Sequence, residues 1–270
     1  MGKEFLQRLL ILLVFVYGSF GETLAQGADT TYGTAIAVYR SDNEIVVAAD
    51  SKATHEDDSP YVEPVCKIRQ FGSTFVAAAG IYEESGTSFD LWEIVSASAF
   101  GAEGLSDIVK TFDSFVRFPL QNAVAAIKNQ YPNFYKKRGI KTPWLSVFFL
   151  GIEDNVLTFK GRKYSVYPET DDFLSVKIKT YDCPGNCRDG KGAVLAQKGE
   201  VKNRKIRRMF IDPLFSQDAK FDTVDLARKF VQMMIDEDTI NYGAPIDILS
   251  ISKDGAKWIQ RKDSCPEIKK

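Results

Sequence analysis

The fold is decided by the stretch Ile45-Val46-Val47-Ala48-Ala49-Asp50-Ser51-Lys52-Ala53-Thr54. Its first five residues are apolar and β-branched or small, which is typical of a buried strand. An earlier β-rich run covers residues 34–39, and residues 40–44 between the two runs (Arg-Ser-Asp-Asn-Glu) have the composition of a turn. The two runs therefore predict an antiparallel hairpin.

Further elements follow in an order that indicates the fold class. They are a second hairpin (67–70 and 74–79), a helical region kinked or split near Pro119, a hairpin led by the apolar strand 145–152, a helix (222–237) and a strand (247–252). Hairpins on both sides of a central helical block place the chain in the α+β class. We expect two sheets whose outer faces are covered by helices, in one domain spanning residues 28–262.

The charge balance excludes one class of function. Lys and Arg number 35 and Asp and Glu number 36, among 270 residues. The chain therefore has no general positive field with which to hold nucleic acid, and we expect no nucleic-acid partner.

The amino terminus has the three parts of an export signal. Lys3 and Arg8 supply positive charge, residues 9–17 are apolar, and Thr23-Leu24-Ala25 offers small residues for cleavage. An uncleaved membrane anchor is the alternative, but Gly18 and later polar residues interrupt the apolar run. We therefore predict a signal peptide at residues 1–25, a secreted or periplasmic protein, and no stable membrane span after signal cleavage.

Export makes the four cysteines candidates for disulfide bonds, because compartments outside the cytoplasm are oxidising. Cys183 and Cys187 flank Pro-Gly-Asn, a turn sequence that brings them together. Cys66 and Cys265 then either pair or stay free. A zinc site is the alternative, although the only histidine, His55, lies in an acidic loop.

Several segments in order resemble proteasome β-type subunits, which belong to the N-terminal-nucleophile (Ntn) hydrolases. The matching segments near the start are residues 33–38 (GTAIAV), 45–54, 66–68 (CKI) and 77–80 (AAAG). Near the end they are residues 242–247 (YGAPID) and 252–255 (SKDG). The resemblance spans most of the exported chain.

The resemblance implies a four-layer αββα sandwich and hydrolysis of peptide or other amide bonds by an amino-terminal threonine. Carried onto this sequence, it makes Thr34 the nucleophile, Asp50 and Lys67 its charge pair, and the Gly80 amide the donor to the oxyanion. The α-amine of the threonine takes the hydroxyl proton, and the lysine cation keeps that amine neutral. This chemistry uses only protein groups, so no cofactor or metal is expected.

Two features depart from the family. Signal cleavage would leave Thr34 internal, without an α-amine, so a second cleavage between Gly33 and Thr34 is required. The Ser-Gly-Ser element that supports the nucleophile in the family is replaced by Ala-Gln-Lys-Gly-Glu at residues 196–200. An alignment shifted by one residue places Gly33 at the nucleophile position, and Thr30 and Thr31 are fallback termini that lie too far from the lysine.

Two functions therefore remain as predictions from the sequence. The leading one is an exported threonine-type peptidase or amidohydrolase acting on a peptide or amide substrate. The alternative is a catalytically inactive protein of the same fold, in which Asp50 and Lys67 form a structural ion pair and the surface serves binding or assembly. Proteasome relatives form rings through helix contacts, so a homo-oligomer is a further expectation; the face with Phe89, Trp92 and Phe115 is either interior or interface.

Overall fold

The computed structural model describes residues 30–31, 34–53, 65–138, 142–170, 173–187, 190–196, 204–215, 222–239, 241–263 and 265–268. The predicted signal peptide, His55 and Gly33 lie outside the described residues. Of the segment 196–200, only Ala196 is described.

The described strands run as follows in chain order: β1 (Thr30–Thr31), β2 (Ile36–Arg40), β3 (Glu44–Ala49), β4 (Ile68–Phe71), β5 (Thr74–Gly80), β6 (Glu83–Glu84), β7 (Phe89–Asp90), β8 (Leu145–Glu153), β9 (Val156–Pro168), β10 (Leu174–Cys183), β11 (Gly192–Ala196), β12 (Asp247–Ser252) and β13 (Gly255–Gln260). The described helices are α1 (Leu91–Ala99), α2 (Leu105–Phe115), α3 (Arg117–Gln130), α4 (Pro132–Arg138), α5 (Arg204–Phe210) and α6 (Thr223–Glu237), and a 3₁₀ turn covers Asp212–Phe215.

Most strands belong to two antiparallel five-stranded sheets. The first sheet has the order β10-β9-β8-β5-β4, and the second has the order β11-β2-β3-β12-β13. A smaller sheet has the order β1-β6-β7. The three predicted hairpins are confirmed, because β2 pairs with β3, β4 with β5, and β8 with β9.

The apolar strand β8 explains how the first sheet is buried. Successive side chains of a strand point to opposite faces. Val147 and Phe149 pack with the helices α1, α2 and α3, whereas Phe148 and Leu150 pack with residues of the second sheet. The burial on both faces that the sequence predicts is confirmed.

Three apolar clusters therefore follow one another through the molecule. The middle cluster joins the two sheets and contains Ile36 and Val47 from the second sheet and Phe75 from the first. One outer cluster packs α1, α2 and α3 on the first sheet. The other packs α5 and α6 on the second sheet. The chain is thus of the α+β class, with antiparallel sheets and helices.

The helix boundaries have local causes in the sequence. The carboxylate of Asp90 accepts backbone N–H groups at the start of α1, and that of Asp222 does the same at the start of α6. The helical region splits between α2 and α3 at Val116, which places Pro119 in the first turn of α3, where a missing N–H costs little. The predicted break is confirmed.

Several elements were not predicted from the sequence, among them the short strands β1, β6 and β7 and the longer elements β10, β11, β13 and α5. In β10 the exposed and part-buried positions outnumber the buried ones, so its pattern lacks the apolar alternation on which the sequence prediction depends.

All four cysteines form disulfide bonds. Cys183 is bonded to Cys187, as predicted, and Cys66 to Cys265, with 5.1 Å between the Cα atoms of each pair. The zinc alternative would require free thiolates, and these sulfurs are already bonded. Within the described residues, no helix combines the length and apolar composition that a membrane crossing requires.

The stability of the helix-covered sheet can be tested at Phe112, which is fully buried against Phe149 and Tyr164. Phe112→Ala removes a ring that the core cannot refill, so we expect a loss of about 3–5 kcal/mol in the free energy of unfolding. Phe118→Ala is the matched control, because Phe118 is 69% exposed, and we expect a change within about 0.5 kcal/mol. Urea denaturation measures both; equal losses would contradict this packing.

Candidate functional site

Thr34 lies two residues before β2, and its side chain is buried. Its hydroxyl oxygen is 2.7 Å from the phenol oxygen of Tyr82. Tyr82 follows the end of β5 by two residues and also donates to the carbonyl oxygen of Ala78. Because a phenol has a single proton, the Tyr82 oxygen accepts the Thr34 hydroxyl proton when it donates to Ala78.

Asp50 directly follows β3 and joins four parts of the site. Its Oδ1 accepts the backbone N–H of Ala35 at 2.8 Å and the ammonium of Lys67 at 2.9 Å. Its Oδ2 accepts the backbone N–H groups of Lys52 and Gly243, each at 3.1 Å. The carboxylate is fully buried, and these four donors compensate for its lost hydration.

Lys67 directly precedes β4 and is also fully buried. Its Nζ donates to the carbonyl oxygen of Lys52 at 2.5 Å as well as to Asp50. Burial lowers the pKa of Lys67 to about 8, although the neighbouring Asp50 carboxylate opposes that effect. The side chain is therefore mostly a cation at neutral pH, but it releases its proton more readily than an exposed lysine.

Gly80 ends β5 with a positive φ of 112°, which residues with a side chain rarely adopt. A Cβ at this position would overlap the backbone carbonyl of Trp144, which accepts the N–H of Ile81. Two independent constraints therefore require glycine here. The turn leads directly to Tyr82, and so connects Gly80 to the surroundings of Thr34.

A second buried ion pair lies beside the first. The Nζ of Lys262 is 2.9 Å from Oδ2 of Asp247, and the two side chains are 6% and 0% exposed. The same Nζ donates to the hydroxyl of Ser51 at 2.7 Å, and Ser51 donates to the carbonyl oxygen of Pro245. The charge of Lys262 lowers the pKa of Lys67 and that of Asp247 raises it, so the two pairs interact.

The Cys66–Cys265 bond holds this second pair against the first. Cys66 precedes Lys67 in the chain, and Cys265 follows Lys262 by three residues and donates its N–H to the Lys262 carbonyl at 3.0 Å. The sulfurs of both cysteines also lie near a carboxylate oxygen of Asp247. Because the sulfurs are bonded to each other, this group is a covalent clamp rather than a set of metal ligands.

The structure places the four site residues that the sequence singled out, Thr34, Asp50, Lys67 and Gly80, in one region. Asp50 Oδ1 links Lys67 to the residue that follows Thr34, and Gly80 is joined to them through Tyr82. The sequence reasoning missed Tyr82, Ser51, Asp247 and Lys262. Ser51 and Asp247 lie within segments that resemble proteasome β-type subunits, and that resemblance could have pointed to them. No pattern in the sequence points to Lys262.

No protein-family model matches the chain, and no curated protein matches it. The resemblance to proteasome β-type subunits therefore stays a prediction from the ordered sequence segments.

The backbone constraint at Gly80 gives a testable prediction. Gly80→Ala forces a Cβ onto the Trp144 carbonyl, so we expect a loss of at least roughly 3 kcal/mol in the free energy of unfolding. Gly72→Ala is the control, because Gly72 also has a positive φ, of 60°, but nothing lies within 4 Å of its added Cβ. We expect about 1–2 kcal/mol for that variant. Similar losses in urea titrations of the two variants would disprove the close approach.

Proposed function

We propose that the protein is a threonine-type Ntn hydrolase that acts on peptides or other amides once Thr34 has become the first residue. The corresponding architecture is the four-layer αββα sandwich. The succession of three apolar clusters supports it, because helices pack on the outer face of each sheet and the sheets pack on each other.

One observation carries the proposal. A single carboxylate oxygen of Asp50 accepts both the N–H of Ala35 and the ammonium of Lys67, all of them buried. The lysine cation is thereby fixed beside the residue that follows Thr34. A cation fixed close to the start of β2 fits a mechanism in which a neutral α-amine on Thr34 activates its hydroxyl.

The chemistry follows from these positions. With Gly33 removed, the α-amine of Thr34 takes the proton of the Thr34 hydroxyl, and the oxygen attacks the substrate carbonyl. The Lys67 cation disfavours protonation of that amine, and Asp50 orients the lysine. A backbone amide at the Gly80 turn stabilises the oxyanion. The amine returns its proton to the leaving group, and water then hydrolyses the acyl ester.

Processing at Gly33/Thr34 uses the same hydroxyl. Attack of the Thr34 oxygen on the Gly33 carbonyl carbon forms a C–O bond, and the Gly33–Thr34 C–N bond breaks, which frees the α-amine of Thr34 and leaves an ester. Water then hydrolyses the ester, which releases the Gly33 carboxylate and restores the Thr34 hydroxyl. Burial raises the pKa of Tyr82, so its phenol stays neutral and serves as a hydrogen-bond partner to Thr34 rather than as a base. Tyr82 is therefore a positioning residue in this scheme.

The proposed location is secreted or periplasmic. Two disulfide bonds, including one that clamps the site, are consistent with an oxidising compartment. Assembly into a homo-oligomer belongs to the same proposal. Of the three aromatic residues considered for a contact face, Phe89 lies in the interior, Trp92 is half-buried, and Phe115 is 49% exposed.

The alternative function is binding or assembly without catalysis. The observation that favours it is the complete set of donors around Asp50, since a pair so well satisfied would stabilise the fold whether or not Thr34 reacts. In that case Thr34 stays joined to Gly33.

The two functions differ in the identity of the first residue of the mature protein. We expect amino-terminal sequencing of purified protein to begin at Thr34, and a peptide vinyl sulfone to label that residue. Thr34→Ala should abolish both processing and labelling, because the proposed scheme uses the Thr34 hydroxyl in both reactions.

Two variants serve as controls. Thr158→Ala removes another buried threonine, whose hydroxyl donates to the Val156 carbonyl, and should leave processing and labelling intact. Thr30→Ala tests the fallback terminus and should also have no effect. A mature chain that starts near Gln26, or labelling that survives in Thr34→Ala, would reject the hydrolase and favour the binding protein.

A further inference from the structure

A cationic cleft lies on the helix-covered side of the first sheet, between α2, the start of α3 and β9. Its volume is about 320 Å³, at the small end of the range for ligand sites. Eight residues line it: Ser106, Val109, Lys110, Asp113, Ser114, Arg117, Lys160 and Arg162. None of them belongs to the Thr34 site, so the cleft is independent of the proposed hydrolysis.

Arg162 forms a fixed, buried part of the cleft. Its Nε lies 3.1 Å from Asp113 Oδ2, and its Nη1 lies 2.5 Å from Asp182 Oδ1. Burial opposes the charge of Arg162, but these two carboxylates outweigh that effect and raise its pKa. The guanidinium is therefore a permanent cation held in one orientation.

Asp113 is the only acidic residue in the lining of this cleft, and both of its oxygens are already engaged. Oδ2 accepts from Arg162, and Oδ1 accepts the phenol proton of Tyr164 at 2.5 Å. Its carboxylate is thus held in the wall of the cleft.

Lys160 is held in a similar way on the opposite side. Its ammonium lies 3.2 Å from Glu153 Oε2 and donates to the hydroxyl of Ser106. Glu153 in turn accepts the N–H of Ser106 at 2.8 Å, so its carboxylate stays at the start of α2. Lys160 and Ser106 are therefore held together in the wall of the cleft.

Lys110 and Arg117 complete the lining with charge that is not compensated. Both are exposed. Within the described ranges, neither forms an ion pair, and Arg117 donates from Nε only to the backbone carbonyl of Asp113, at 3.2 Å. Their charged ends are therefore available to a ligand, next to the hydroxyls of Ser106 and Ser114.

From this arrangement we propose that the cleft binds a small tetrahedral oxyanion, a phosphate or sulfate group either free or carried on a small molecule. Lys110 and Arg117 supply the attraction, and Arg162 and Lys160, each held by its carboxylate partners, fix the wall of the cleft beside them. Such a group matches both the donor chemistry and the small volume.

The test is isothermal titration calorimetry with inorganic phosphate and with glycerol 3-phosphate at low ionic strength, where exposed charges are least screened. We expect Lys110→Gln/Arg117→Gln to weaken binding at least tenfold. The matched control is Arg228→Gln/Lys229→Gln, which removes the same two charge types from the exposed surface of α6 and should bind as the unmodified protein does. Circular dichroism verifies that each variant is folded.

A competition arm separates the sources of the group. Displacement of bound phosphate by glycerol 3-phosphate alone identifies a free phosphomonoester, and displacement by vesicles containing phosphatidic acid identifies a lipid headgroup; either result supports the site. The absence of binding at about 10 mM phosphate would overturn the proposal, as would equal weakening by the two double variants.

Discussion

The buried Asp50 carboxylate is the constraint on which the candidate site depends. Removing a charged carboxylate from water costs several kcal/mol unless donors replace its hydration. Here four donors do so, and they come from four parts of the chain: the residue before β2, the segment that follows β3, the residue before β4, and the loop at Gly243. The position of Thr34 relative to Lys67 is a consequence of satisfying that one group.

The carboxyl-terminal part of the chain reinforces the same arrangement. Asp247 begins β12, and its partner Lys262 reaches back to Ser51, the residue after Asp50. The Cys66–Cys265 bond then joins the segment after β13 to Cys66, which directly precedes Lys67. Distant segments thus meet at one place, and a site built in this way is held rigidly.

The sequence predicted the hairpins, the apolar strand and the capped helix well, because each depends on a local pattern. Residues 45–49 form an unbroken apolar run that ends at the Asp50 carboxylate, and Asp222 precedes a run with helical spacing. The strand β10 and the Lys262–Asp247 pair were missed for physical reasons. The strand β10 has a mixed polar pattern. Asp247 and Lys262 are 15 residues apart, at the two ends of the β12–β13 hairpin, and only the pairing of those strands brings them together. The partner of Thr34, Tyr82, was missed likewise, since 48 residues separate the two.

The proposed site depends on the buried Lys67 cation, which Asp50 links to the residue after Thr34, and the proton affinity of this lysine can be measured. Because the folded chain holds this proton more weakly than the unfolded chain, deprotonation of Lys67 should add stability as the pH rises from about 8 towards 10.5. The most direct measurement is an NMR titration of the Lys67 side chain, assigned with Lys67→Arg. We predict a pKa of about 8; a value at or above the ordinary 10.5 would mean that burial does not outweigh the attraction of Asp50, and would contradict a lysine that releases its proton readily.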